Sequence, residues 1–224
     1  MAKKRKLRVG FDFDGVVVYN PLRIFRPFVA VAKKIILRPK KLKFYYPQTS
    51  WEKFFWFVLH QSSIFPAPGF PLLKKLLKEG KIEGYLLTSR YSCLGGSFYH
   101  WLKKHQVDQL FKGCYLNKKN EQPHKFKERM IKKLKLDLYL DDNWDIVNYL
   151  HATCNMQHAT CEIHWVYNVF DRRIDYPRKH PHLASFLKKL VKRFKIKVQL
   201  WPGYKSPCHS CPCFRRGKLQ QESI

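Results

Sequence analysis

The stretch Leu7-Arg8-Val9-Gly10-Phe11-Asp12-Phe13-Asp14-Gly15-Val16-Val17 constrains the fold more than any other part of the chain. An apolar run breaks off into two carboxylates two residues apart, followed by glycine. Side chains of a strand alternate faces, so Asp12 and Asp14 would share a face if the strand continued. Gly15 turns the chain instead, because glycine adopts backbone angles that other residues avoid. Two acids at the carboxyl end of a buried strand are costly unless a cation or a proton offsets them. That end is also where open α/β sheets bind ligands. The expectation is a magnesium-dependent phosphoryl site.

The rest of the chain alternates between strand and helix patterns. Phe70 to Glu79 places Leu72, Leu73, Leu76 and Leu77 on one side of a helix, and Gly80 stops it. Gly84-Tyr85-Leu86-Leu87-Thr88 reads as a second strand, and residues 97–105 as helix. Residues 113–117 read as a third strand, 126–134 as helix, 137–140 as a fourth strand and 146–151 as helix. Residues 162–167 read as a fifth strand, and 185–194 as a basic helix. With no hairpin signals between them, these elements predict a five-stranded parallel sheet with helices on both faces, a Rossmann-like three-layer α/β/α core. Three strands then end in polar groups on one sheet edge: Asp12 and Asp14, Thr88 and Ser89, Asp141 and Asp142.

Together these motifs resemble the haloacid dehalogenase-like (HAD) superfamily of phosphohydrolases over residues 7–167, and within it the small-capped, nucleotidase- or phosphatase-like members. Asp12-Phe13-Asp14-Gly15 is similar to the first motif of that family, Leu86-Leu87-Thr88-Ser89 to the second, and Asp141-Asp142-Asn143-Trp144-Asp145 to the acidic fourth. For the lysine of the third motif, Lys127 and Lys125 compete. Lys127, 14 residues before Asp141, has the spacing that resembles the family better.

The resemblance implies a Mg²⁺-dependent phosphatase that hydrolyses a phosphate monoester through an aspartyl-phosphate on Asp12. Asp12, Asp14, Thr88 and Lys127 are then the catalytic residues, and Thr88, Ser89, Arg90 and Lys127 bind the phosphorylated substrate. The metal ligands it implies are the Asp12 carboxylate, the main-chain carbonyl of Asp14 and an acid of the fourth motif. Asp141 is expected to bind directly, with Asp142 or Asp145 acting through water. Asp14 would pass a proton to the leaving oxygen and take one from water. An acid at position 14 fits phosphatases and phosphomutases better than dehalogenases.

Domain organisation follows. Residues 1–18 and 69–200 form the core, and 201–224 a basic tail containing Cys and Pro. Residues 19–68 form a helical insert where the family carries a cap. In the insert, Ile24, Phe28, Val31 and Ile35 fall on one helix face. Ser50 is expected to cap a second helix, with Lys53 where a capping glutamate belongs. Trp51, Phe54 and Phe55 read as core residues of this small cap, and a base-stacking role for such aromatics is the alternative.

Forty-four Lys and Arg against 16 Asp and Glu give a net charge of +28. That excess draws polyanions: phosphorylated small molecules such as nucleotides, nucleic-acid ends, or an anionic membrane surface. A basic nucleic-acid-binding protein with a vestigial site is the non-enzymatic alternative. Seven Cys without a secretory leader predict reduced thiols in a cytoplasmic protein. No apolar run is long enough to span a bilayer. The sequence His151-Ala152-Thr153-Cys154 recurs at 158–161, and Cys208, Cys211 and Cys213 cluster in the tail. The first spacing matches no usual paired zinc plan, and the tail's Cys-x2-Cys-x-Cys reads as reactive thiols in a solvated tail, with a soft metal completed by one more ligand as the alternative.

Overall fold

The computed structural model describes residues 5–19, 42–61, 65–156, 161–168 and 171–197. The helix expected around Ile24–Ile35 and the cysteine cluster at 208–213 lie outside these residues. So do residues 157–160, at the second His-Ala-Thr-Cys sequence.

Strand β1 (Arg8–Asp12) lies in the middle of the sheet and pairs in parallel with β4 (Glu83–Tyr91) on one side and β6 (Leu138–Asp141) on the other. Beyond β4 comes β5 (Gly113–Asn117), and beyond β6 come β7 (Glu162–Val166) and β8 (Lys179–His180). The order β5-β4-β1-β6-β7-β8 is parallel at every pairing. Among the described residues the sheet has six strands where five were expected. The added one is two residues long, too short to show a period of two in sequence.

The two faces of the sheet bury different side chains, as strand alternation requires. Val9, Phe11, Leu86, Leu138 and Leu140 join one apolar cluster with α2 (Phe70–Lys78), α3 (Gly95–Lys104) and α6 (Leu183–Arg193). Tyr85, Leu87, Tyr139 and Ile163 join the other with α4 (Pro123–Leu134) and α5 (Trp144–Met156). Continuous apolar runs such as Tyr85-Leu86-Leu87 are what burial on both faces demands. This is the expected three-layer α/β/α arrangement.

The chain leaves the core through β2 (Val18–Tyr19) and returns through β3 (Phe65–Pro66), paired antiparallel. Residues 42–49 run along the core, where Phe44 and Gln122 exchange two hydrogen bonds of 2.8 and 3.2 Å and the Tyr91 hydroxyl donates to the Tyr45 carbonyl at 2.8 Å. Helix α1 (Ser50–Gln61) follows. Its cap is Thr49 rather than Ser50. The Thr49 Oγ1 accepts from the Glu52 amide at 3.3 Å, and the Glu52 Oε2 accepts from the Thr49 amide at 3.0 Å. The capping box is therefore complete, one residue earlier than Ser50 and Lys53 predict.

The expected burial of the α1 aromatics is overturned. Trp51 is 77% exposed, Phe54 57% and Phe55 59%. Insert aromatics that do pack on the core include Phe44, against His124, and Tyr46, edge to face with Tyr91 at 4.6 Å. Among the described residues no helix is long and apolar enough to cross a membrane.

Candidate active site

Strand register brings the site together. Asp12 lies opposite Leu87, and Phe11 opposite Leu140. The next residues on the flanking strands are Thr88 and Asp141, so three adjacent strands end side by side in Asp12, Thr88 and Asp141. After Asp12 the chain turns. Gly15 has φ 85°, in the left-handed region, and its amide donates to the Val18 carbonyl at 2.7 Å.

A lysine joins two of the acids. Lys127 Nζ lies 3.0 Å from Asp12 Oδ1 and 2.6 Å from Asp141 Oδ2, and all three side chains are buried. Helix α4 starts at the sheet edge where β5 ends, which carries its first turns past the acids. Phe126, Met130 and Ile131 seat the helix, and Lys127 lies on its buried side. Lys125, two residues earlier, falls on the far side of the helix. It is exposed, donates to the Tyr149 hydroxyl at 2.6 Å and pairs with Glu128 at 3.5 Å. Of the two candidate lysines, Lys127 is therefore the one that meets Asp12.

Asp141 is held from several directions. Its Oδ2 accepts from Lys127 and from the Tyr139 hydroxyl at 2.9 Å, and its Oδ1 accepts from the Asn143 amide at 2.9 Å. Tyr139 fits because its register partner is Gly10, where a Cβ would come within 2.8 Å of the ring. Asp142, also buried, has its carbonyl fixed by the Trp165 indole at 3.2 Å.

Thr88 is fully buried, and its Oγ1 accepts from the Arg90 amide at 3.2 Å. The Ser89 Oγ is buried and has no hydrogen-bond partner among the described residues. Register slips between Thr88 and Tyr91, an irregularity that re-aims the side chains between them. Arg90 turns inward. Its Nε and Nη2 donate to Asp14 Oδ2 and Oδ1 at 2.8 and 2.7 Å, its Nη1 donates to Ser97 Oγ at 2.9 Å, and the guanidinium stacks 4.9 Å from the Phe13 ring. Arg90, expected to hold substrate, thus clamps Asp14.

Sequence reasoning missed the Arg90–Asp14 pairing and the roles of Tyr139 and Asn143. Only Tyr139 carried a signal, standing two residues before Asp141 and so on the same strand face.

Burial dominates the electrostatics of the site. Burial pushes the Asp12 carboxyl well above its ordinary value, and Asp141, Asp142 and Asp14 push it further; Lys127 pulls it down. Burial alone would lower Lys127, but Asp12 and Asp141 outweigh it and keep the ammonium protonated. Asp12, Asp141 and Asp142 present carboxylate oxygens all within 4.8 Å of one another, the one such group among the described residues. This all-oxygen donor set fits a hard divalent cation.

No family model and no curated protein matches the sequence. Solved structures do match. CbbY from Rhodobacter sphaeroides in complex with phosphate is 13% identical, with 80% of this chain and 96% of that chain covered and a TM-score of 0.51. A putative beta-phosphoglucomutase from Thermotoga maritima is 14% identical, with 83% and 99% covered and a TM-score of 0.51. A haloacid dehalogenase-like family hydrolase from Xanthomonas campestris is 10% identical, with 85% and 96% covered and a TM-score of 0.49. At these identities the likeness is one of fold: the chain shares the fold of CbbY and of the beta-phosphoglucomutase.

Proposed function

We propose that the protein is a Mg²⁺-dependent phosphatase that hydrolyses small phosphate monoesters through an aspartyl-phosphate on Asp12. The observation that carries this reading is the knot of Asp12, Lys127 and Asp141 at the ends of adjacent parallel strands. A buried carboxylate fixed by one ammonium and crowded by three more acids suits attack on phosphorus once a cation offsets the charge. CbbY from Rhodobacter sphaeroides, which shares the fold, was solved in complex with phosphate and with xylulose-(1,5)bisphosphate, in keeping with phosphoryl chemistry.

Asp12, Asp142 and the Asp14 main-chain carbonyl are the groups proposed to hold Mg²⁺. Asp141 is the weaker candidate for a direct ligand, because Lys127, Tyr139 and the Asn143 amide already donate to its two oxygens. Bound Mg²⁺ supplies positive charge that lets an anionic nucleophile approach an anionic phosphate.

Asp12 attacks phosphorus, and the bond from phosphorus to the leaving oxygen breaks as that oxygen takes a proton from Asp14. Water then attacks the aspartyl-phosphate and gives a proton to Asp14. The phosphorus–Asp12 bond breaks and inorganic phosphate leaves. Thr88 accepts from the Arg90 amide, which leaves its hydroxyl proton to donate to a phosphoryl oxygen. Lys127 offsets charge on Asp12 and on the phosphate. Ser89 has a buried hydroxyl to offer the phosphate. Arg90 acts as a positioning residue, because its two bonds to Asp14 set where that carboxylate stands.

The test is turnover of p-nitrophenyl phosphate and of a phosphomonoester panel headed by nucleotides, with and without Mg²⁺. Turnover that needs Mg²⁺ and disappears in Asp12→Asn is the expected result. An unchanged rate in Asp12→Asn overturns the assignment.

A further inference from the structure

Helix α1 turns outward the face that an amphipathic helix ordinarily buries. Trp51, Phe54, Phe55 and Val58 stand at spacings of three, one and three, a single stripe. Their exposures are 77, 57, 59 and 49%, and Phe57 beside them is 42% exposed. Scattered exposed apolar residues need no explanation, but a contiguous stripe of this kind marks an interaction surface. The helix does not lack anchoring. Its capping box is closed, Tyr45 donates to Glu52 at 2.6 Å, and its body packs on residues 92–94. The stripe is therefore held outward by a formed helix.

We propose that this stripe docks the protein on an anionic lipid surface. Three observations favour that occupant. The chain carries a net charge of +28, complementary to an anionic bilayer. Lys43, Lys118 and Lys119 are exposed on segments beside the helix: Lys43 lies in the 42–49 segment that leads into α1. Lys118 and Lys119 precede Asn120, which accepts from the Ser92 amide at 2.9 Å and donates to the Tyr46 hydroxyl at 3.3 Å. Tryptophan and phenylalanine side chains on a helix suit the headgroup boundary, where an apolar face sinks in and basic groups remain with the phosphates.

A second copy of the chain would bring another +28 against this face, so self-association is opposed by charge. Single-stranded nucleic acid also draws basic and aromatic groups, but a stacking platform interleaves cations with its rings. The only Lys of α1, Lys53, is half-buried away from the stripe.

The helix sits at the edge of the sheet that carries the acids, since residues 92–94 follow directly on β4. Docking would present that edge to the headgroup layer. The inference rests on α1 and the charge and does not require phosphatase activity.

The test is flotation of the full chain with phosphatidylcholine vesicles, with and without phosphatidylserine, for the wild type and for Trp51→Glu/Phe55→Glu. Both residues are exposed, and the melting temperature of the variant checks its fold. The expected result is wild-type flotation with phosphatidylserine vesicles, weakened by salt, and a fall of about tenfold or more in vesicle partition for the folded variant. Three results would overturn the proposal. One is no wild-type flotation. Another is equal flotation of the folded variant. The third is a stripe whose substitution changes the oligomeric state or the binding of a single-stranded oligonucleotide while flotation stays unaltered. p-Nitrophenyl phosphate turnover, measured in parallel, separates failure of docking from failure of the catalytic reading.

Discussion

At the residue scale the site is a problem of buried charge. Asp12 is crowded by three acids and relieved by Lys127 alone, so removing its charge should relax the metal-free protein. Asp12→Asn is predicted to raise the metal-free melting temperature by about 2–4 °C, the shift that about 1 kcal/mol gives a chain of this size, while turnover is lost. Calorimetry in a chelator checks the first part. Lys127→Met leaves the acids without their ammonium. A loss of about 3–5 kcal/mol is expected, as for a buried pair broken on one side, together with loss of turnover. Lys125→Met, on the exposed side of the same helix, is expected to stay within about 0.5 kcal/mol and keep full activity. Denaturant melts of the two variants make the comparison. Arg90→Lys cannot reproduce the two-pronged contact with Asp14. A fall in kcat of about 10²-fold with little change in KM is expected if Arg90 positions the proton-transfer group, whereas a raised KM with kcat intact would make it a substrate ligand. The acids themselves were legible, because carboxylates at the ends of apolar runs have few inexpensive explanations. The Arg90 clamp was not, because it depends on a slip of register after Thr88 that no local pattern announces.

At the element scale, long strands and helices were read from periodicity, and short or irregular pieces were not. Strand β8, two residues long, emerges only through its pairing of Trp165 with Lys179 and Val166 with His180. It brings His180 against His164, with Nε2 and Nδ1 3.1 Å apart and Phe186 packed against both rings. Such an N–H···N bond needs one donor and one acceptor, so both rings cannot be protonated and keep it. Burial lowers His164 to about 4, with Arg178 and Arg193 adding to the effect and Glu162 opposing it. Burial, then His164 and Lys189, lower His180 to about 3. Unfolded histidine titrates near 6.5, so between that pH and about 4 the unfolded chain binds more protons than the folded one. Stability from this pair is then complete above about pH 6.5 and falls as the pH drops through that window. Melting temperature is predicted to decline from pH 7 to pH 4.5, with a shallower decline in His180→Phe. Equal slopes would contradict the account. Helix α1 shows the opposite failure of reading. Its periodicity was plain, but periodicity tells which residues share a face and not whether that face is covered.

At the scale of the whole molecule, sheet order makes three distant segments into one site. Asp12, Thr88 and Asp141 are scattered through the sequence, yet β1 lies between β4 and β6, so their carboxyl ends adjoin. Parallel connection was legible from the alternation of strands and helices, and parallel connection alone puts every strand end on one edge. The order of the strands was not derivable from spacing, nor was the outward face of α1, since both are set by packing between segments far apart in the chain. The central claim is that Asp12 is the nucleophile, and covalent capture tests it most directly. Enzyme quenched during turnover of p-nitrophenyl phosphate with Mg²⁺ and reduced with borohydride should carry homoserine in place of Asp12 when its peptides are analysed by mass spectrometry. Steady turnover with Asp12 unmodified, or homoserine at another acid, would contradict the account.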